Sequence, residues 1–166
     1  MQQKNTAINK TAYLTAFAFC IAISGCASQQ MVPYSVIEQS SQCRISQAEI
    51  RPLSSSHDRD KISQQLKAFN LQKNDALEQR LEQHGKQENL YLISQGQKPS
   101  AGYDFTIESN LASLEETTLH LPITFNSPKK GGMQAAVMTS PCLIIGIDNS
   151  VYIDKIIADT LVYNLE

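Results

Sequence analysis

The stretch Tyr103-Asp104-Phe105-Thr106-Ile107-Glu108 alternates apolar and polar residues at every step. Successive side chains on a strand point to opposite faces. Tyr103, Phe105 and Ile107 therefore share a face that seeks a core, while Asp104, Thr106 and Glu108 seek water. This is an antiparallel pattern with one dry and one wet side. Thr117, Leu119, Leu121 and Ile123 repeat the period after an acidic turn at Glu115-Glu116. Leu90-Tyr91-Leu92-Ile93 reads as a compact strand ending at Gly96, and Gln134 to Met138 as another after the loop Ser127 to Gly132. Cys142 to Ile147 (CLIIGI) is apolar throughout, as suits a strand buried on both faces. Asp148-Asn149 turns the chain, and Val151 to Val162 supply one or two last strands.

Upstream of Asn89 the period is helical. Ile62, Leu66 and Phe69 lie at i, i+4 and i+7 in Asp58 to Phe69, with Ser56 or Asp58 available as a cap. A second helix is signalled by Asn74 as cap, Leu77 and Leu81 one turn apart, and Gly85 as terminator. Val36-Ile37 and Arg44 to Ile50 read as short strands before them. The expected fold class is α+β, with two short N-terminal helices followed by a mainly antiparallel β-sheet or sandwich.

The chain starts with a different kind of segment. Lys4 and Lys10 give a positive, acid-free beginning, and Thr11 to Ile23 is apolar. Thirteen residues suit the apolar core of an export signal and fall short of the roughly 20 that span a bilayer. Ile23, Ser24 and Gly25 then precede Cys26 and resemble the lipobox of bacterial lipoproteins, in which the cysteine thiol takes a diacylglyceryl group before cleavage. The covalent diacylglycerol and N-acyl lipid at Cys26 would be the anchor, each buried methylene contributing about 0.8 kcal/mol. Ala27 and Ser28, with no aspartate after the cysteine, resemble the sorting pattern that sends diderm lipoproteins to the outer membrane. The expected organisation is a signal peptide over 1–25, a lipidated tether over 26–35, an N-terminal α/β portion over 36–88 and a β-rich portion of the same domain over 89–166.

Removing the signal takes both of its lysines, leaving 12 basic and 16 acidic residues. A net negative domain argues against nucleic acid and against a peripheral grip on anionic lipid. Cys20 leaves with the signal and Cys26 is acylated, so Cys43 and Cys142 remain in an oxidising compartment, either as a disulfide or as two buried thiols. Absence of any CxxC pair, with three scattered histidines, argues against a metal centre. No nucleophile elbow accompanies His57, His84 or His120. Adjacent Glu115 and Glu116 would point to opposite strand faces and could not share a proton. No catalytic residue and no cofactor other than the lipid is expected. Lys129-Lys130 reads as a solubilising loop tip, with contact to phosphate head groups or an acidic partner as the alternative.

Gly96, Pro99, Gly102 and Tyr103 in GQKPSAGYDFTI, a middle strand, the Pro-Gly loop and then VMTSPCLIIGI (Val137 to Ile147) together resemble the PrcB-like C-terminal domain family. That family is marked by a G-x-x-P-T-G-G-Y segment and a later T-x-P-Y before an apolar strand. Ser100 replaces the threonine, Ala101 the first glycine of the pair, and Cys142 the aromatic. The resemblance covers about half of the chain beyond the signal. It implies a non-catalytic, protein-binding accessory lipoprotein of the envelope, a protease complex being the association for which the family is named. Such a protein would bind a partner through sheet edges or loops. The alternative is an envelope small-ligand or glycan-binding module, recognised by a concave pocket.

Overall fold

The computed structural model describes residues 29–67, 74–129 and 131–165; the side chains of Asn74 and Asp75 lie outside that description. The signal, the lipobox and Cys26 therefore fall outside the described residues, as do Phe69 and Lys130. Ten strands and two helices follow in the order β1 (Gln30–Ser40), β2 (Ala48–Pro52), α1 (Ser56–Lys67), α2 (Asn74–His84), β3 (Glu88–Gln95), β4 (Asp104–Ile107), β5 (Leu111–Glu115), β6 (Thr118–Leu121), β7 (Ile123–Asn126), β8 (Cys142–Asp148), β9 (Lys155–Ala158) and β10 (Leu161–Asn164).

Eight strands form one sheet in the order β10-β9-β6-β5-β1-β8-β3-β2, and its two outermost strands, β10 and β2, lie against each other. The sheet is thus a nearly closed barrel. This overturns the expected α+β class with helices at the N-terminus: the protein is mostly β, and the helices are inserted between β2 and β3. Closure could not be read from single strands, because it depends on which strands meet. The pair β6 and β9 is parallel, and the other ladders are antiparallel.

β1 is the centre of the fold although its first half reads as tether. Gln30–Pro33 pair with β5, and Tyr34–Ser40 pair with β8. Pro33, which has no N–H to give, stands where the strand passes from one neighbour to the other, the position at which a ladder tolerates proline. A register shift between Val36 and Glu38 then turns Ile37 toward the helices.

The inner faces build one core. Val32 and Tyr34 of β1, Tyr91 and Ile93 of β3, Leu143, Ile145 and Ile147 of β8, and Leu119 and Ile156 of β6 and β9 meet inside the barrel. A second core lies outside β3 and β8, where Leu90, Leu92 and Ile144 receive Ile62 and Leu66 of α1 and Leu77 and Leu81 of α2. The helical stripe read from the sequence packs there. CLIIGI is apolar throughout for this reason, its odd and even residues serving different cores. At Gly146 the outer face is covered by Glu88, whose carboxylate would lie 1.9 Å from an added Cβ.

α1 begins at a capping box. Asp58 N–H donates to Ser55 Oγ at 3.1 Å, and Ser55 N–H reaches back to Asp58 Oδ2 at 3.3 Å. Ser55, rather than Ser56 or Asp58, is therefore the cap, and its hydrogen bonds hold the Asp58 carboxyl below the usual carboxylate range.

Three further sequence expectations are corrected. Arg44–Ile50 is not one strand: Arg44 is left-handed at φ 55°, and β2 begins only at Ala48. The run Thr117–Ile123 is bent at Pro122 into β6 and β7, so that its first part joins the barrel and its second pairs with β4 in a separate two-stranded ribbon. Gln134–Met138 is irregular and exposed along its whole length, having no neighbouring strand to complete a ladder.

Candidate functional site

The motif turn begins where β3 ends. Gly96 is left-handed at φ 73°, and a Cβ there would lie 2.7 Å from Ala48 N and 2.8 Å from Gln47 C. Both obstacles are backbone, so neither can rotate away. Gln97 N–H then donates to Ser46 O at 3.1 Å, which ties the turn to the segment before β2. Gly96→Ala is expected to cost about 2 kcal/mol or more in unfolding free energy, from the left-handed conformation and the backbone contact together. Equilibrium urea unfolding measures it, and a loss below half that value would mean the turn relaxes.

The turn closes on the segment that precedes β8. Lys98 and Thr139 exchange N–H···O bonds in both directions at 2.7 and 3.0 Å, Thr139 Oγ1 donates to Ser100 O at 3.0 Å, and Ala101 N–H donates to Ala135 O at 3.1 Å. Gly102, at φ 91°, lets Gln134 approach: an added Cβ would stand 2.9 Å from its Oε1. Pro99 is exposed. Tyr103 is half buried rather than fully in the core, with the Lys98 ammonium 5.4 Å from its ring centre.

A third segment completes the junction. Cys43 and Cys142 form a disulfide with Cα atoms 5.9 Å apart, and both are fully buried in the helix-facing core. Beside it Ser140 Oγ accepts from Cys43 N–H at 2.9 Å and Arg44 N–H at 2.6 Å. Thr139, Ser140 and Pro141 thus sit between the motif turn on one side and residues 41–46 on the other.

Two cavities flank this junction. One of about 190 Å³ is lined by Gln42, Arg44, Ser46, Gln97, Met138 and Thr139. The other, of about 300 Å³, is lined by Gln39, Ser40, Tyr103, Asp104, Phe105 and Pro141. The loop ahead of Thr139, whose Met138 lines the first cavity, has Met133 fully exposed and Val137 and Met138 more than half exposed. The sequence reading missed this loop because its apolar residues suggested a strand. Its glycines and its failure to alternate were the available signals.

The strand edges are not open in the way a partner strand would need. β2 and β10 cover each other. In the β4–β7 ribbon, Gln39 Nε2 donates to Phe105 O at 3.2 Å, the Gln95 amide donates to Asp104 O, and Asp159 Oδ2 accepts from Phe125 N–H at 3.1 Å. Side chains already satisfy these edge groups.

One polar network elsewhere brings together groups of catalytic type. Ser35 Oγ donates to Glu88 Oε1 at 2.7 Å, and His84 Nδ1 lies 2.8 Å from Glu88 Oε2. The carboxylate stands between hydroxyl and imidazole, so the histidine cannot take the serine proton. This is the wrong order for an activated nucleophile. His57 is exposed, and His120 lies 3.9 Å from Glu115 across β5 and β6. Among the described residues no three His, Cys, Asp or Glu side chains are grouped as a metal site would need.

Residues 90–148 match the family model described as PrcB C-terminal. The matched stretch runs from β3 through β8 and so includes the motif turn, the exposed loop and the Thr139–Pro141 segment. β1, β2, β9 and β10 lie outside it. Comparison with curated proteins and with solved structures finds no match.

Proposed function

We propose, from a chain whose residues 90–148 carry the PrcB C-terminal family's pattern, a lipid-anchored accessory subunit of the bacterial envelope that binds a protein partner and does no chemistry itself. The family points to association with a protease complex. The observation that carries the binding role is the convergence of both family segments on one junction, beside a loop that exposes Met133, Val137 and Met138. Methionine-bearing loops adapt readily to a partner's surface. Cys26 supplies the anchor, and the acyl chains hold the domain at the outer membrane.

Two measurements test this. Cys26→Ala is expected to abolish incorporation of labelled palmitate and to leave an unprocessed precursor; firm membrane retention with full acylation would refute the anchor. Mild-detergent purification of the full lipoprotein is expected to retain a stoichiometric protein partner. A solitary protein whose melting temperature rises with a small ligand would instead favour the two cavities as binding sites.

A further inference from the structure

The charges of this protein are segregated in a way its net value conceals. The three segments that meet at the junction, residues 41–48, 94–103 and 127–142 without Lys130, carry Arg44, Lys98 and Lys129, against which stands Asp104, exposed on the second cavity, in a chain with 16 acids against 14 bases. The same junction exposes Met133, Val137 and Met138. A cationic, apolar pole is therefore built into a net acidic protein.

Its position matters as much as its charge. Ser40, the last residue of β1, pairs with Cys142 beside the junction. Gln30, the first, pairs with Leu114 beside the Glu115-Glu116 turn. An 11-residue strand separates these ends by roughly 35 Å. Only three residues lie between Cys26 and Gln30, so a lipid on Cys26 would hold the Glu115-Glu116 end near the bilayer. Glu115, Glu116 and Asp154 gather at that end around one cation, Lys155. Anionic lipid headgroups would thus meet an end of net negative charge, while Lys98 and Lys129 face away, well beyond the Debye length of about 8 Å at physiological salt.

We infer that the membrane-distal pole, formed by Lys98, Lys129 and the Met133–Met138 loop, docks an acidic segment of a protein partner that also offers apolar side chains to the loop. The inference rests on the anchored, partner-binding reading above and adds the surface, its orientation and the partner's chemistry. Opposite charge steers and orients the encounter, and the methionines supply adaptable apolar contact.

The test uses the full lipoprotein in its own envelope, with the photo-crosslinking residue p-benzoylphenylalanine placed at Met133 and, separately, at Tyr152, an exposed position after the opposite end of β8. The adduct at Met133 is expected to be a polypeptide whose cross-linked segment is net negative, with little adduct at Tyr152. Lys98→Glu with Lys129→Glu is expected to lower its yield about tenfold, and the two glutamine substitutions less, with the melting temperature unchanged. A phospholipid adduct, a segment without net negative charge, or a yield insensitive to charge reversal would each overturn the docking surface. A partner captured at Tyr152 and not at Met133 would overturn the surface and spare the accessory role. No polypeptide at either position would overturn both.

Discussion

Replacing Cys43 and Cys142 together with alanine is expected to lower the unfolding free energy by about 4 kcal/mol. The bridge spans 99 residues, from the loop before β2 to the first residue of β8. Cutting it restores to the unfolded chain the freedom of a loop that contains both helices and six strands. The native state loses packing as well, because both residues are fully buried among Ile37, Leu53 and Ile144. Ser140 limits the loss, since its hydroxyl and carbonyl still bind the N–H groups of Cys43 and Arg44. Urea unfolding with and without reductant measures the difference. Equal stability of the oxidised protein and the double-alanine variant would show that these hydrogen bonds and the helix-facing core already hold the junction.

Ile144→Ala is expected to cost about 4 kcal/mol, toward the upper part of the range for buried aliphatic truncations. Ile144 is wholly buried on β8, between two hydrogen-bonded neighbours, β1 and β3, and beneath the helices. No flanking strand can close over the space without breaking a ladder. Ile157 provides the contrast. It lies on β9, facing outward and half buried, and Ile157→Ala is expected to cost under about 1 kcal/mol. Urea midpoints of the two variants decide the matter. Similar losses at both positions would contradict the assignment of an outer core to β8 and none to β9.

The helical stripe Ile62, Leu66, Leu77 and Leu81 and the strands around Leu90–Ile93, Tyr103–Ile107 and Cys142–Ile147 were legible in the sequence. Their periods reflect which side of each element meets a core, and that is encoded within a few neighbouring residues. The motif positions Gly96 and Gly102 were legible as turn residues for the same reason, as both adopt left-handed backbone. Tyr103 was read as entering the core and instead stands half buried under Lys98.

Tertiary structure alone decided what depends on residues far apart in the chain. Gln30–Ser40 reads as a tether followed by a scrap of strand, because Pro33 interrupts it and its partners, Leu111–Leu114 and Cys142–Ile147, lie about 80 and 110 residues away. Gln134–Met138 resembles a strand until no neighbour is found for it. Glu88, an unremarkable acid in sequence, proves to lie over Gly146 and bind Ser35 and His84. Side-chain chemistry and local period were enough to specify which elements form and which face of each is apolar. Closure of the barrel, the central place of β1, and the meeting of residues 41–46, 96–103 and 131–141 at one pole required the folded chain, because hydrogen-bonded register and long-range contact select among pairings that local pattern leaves equal.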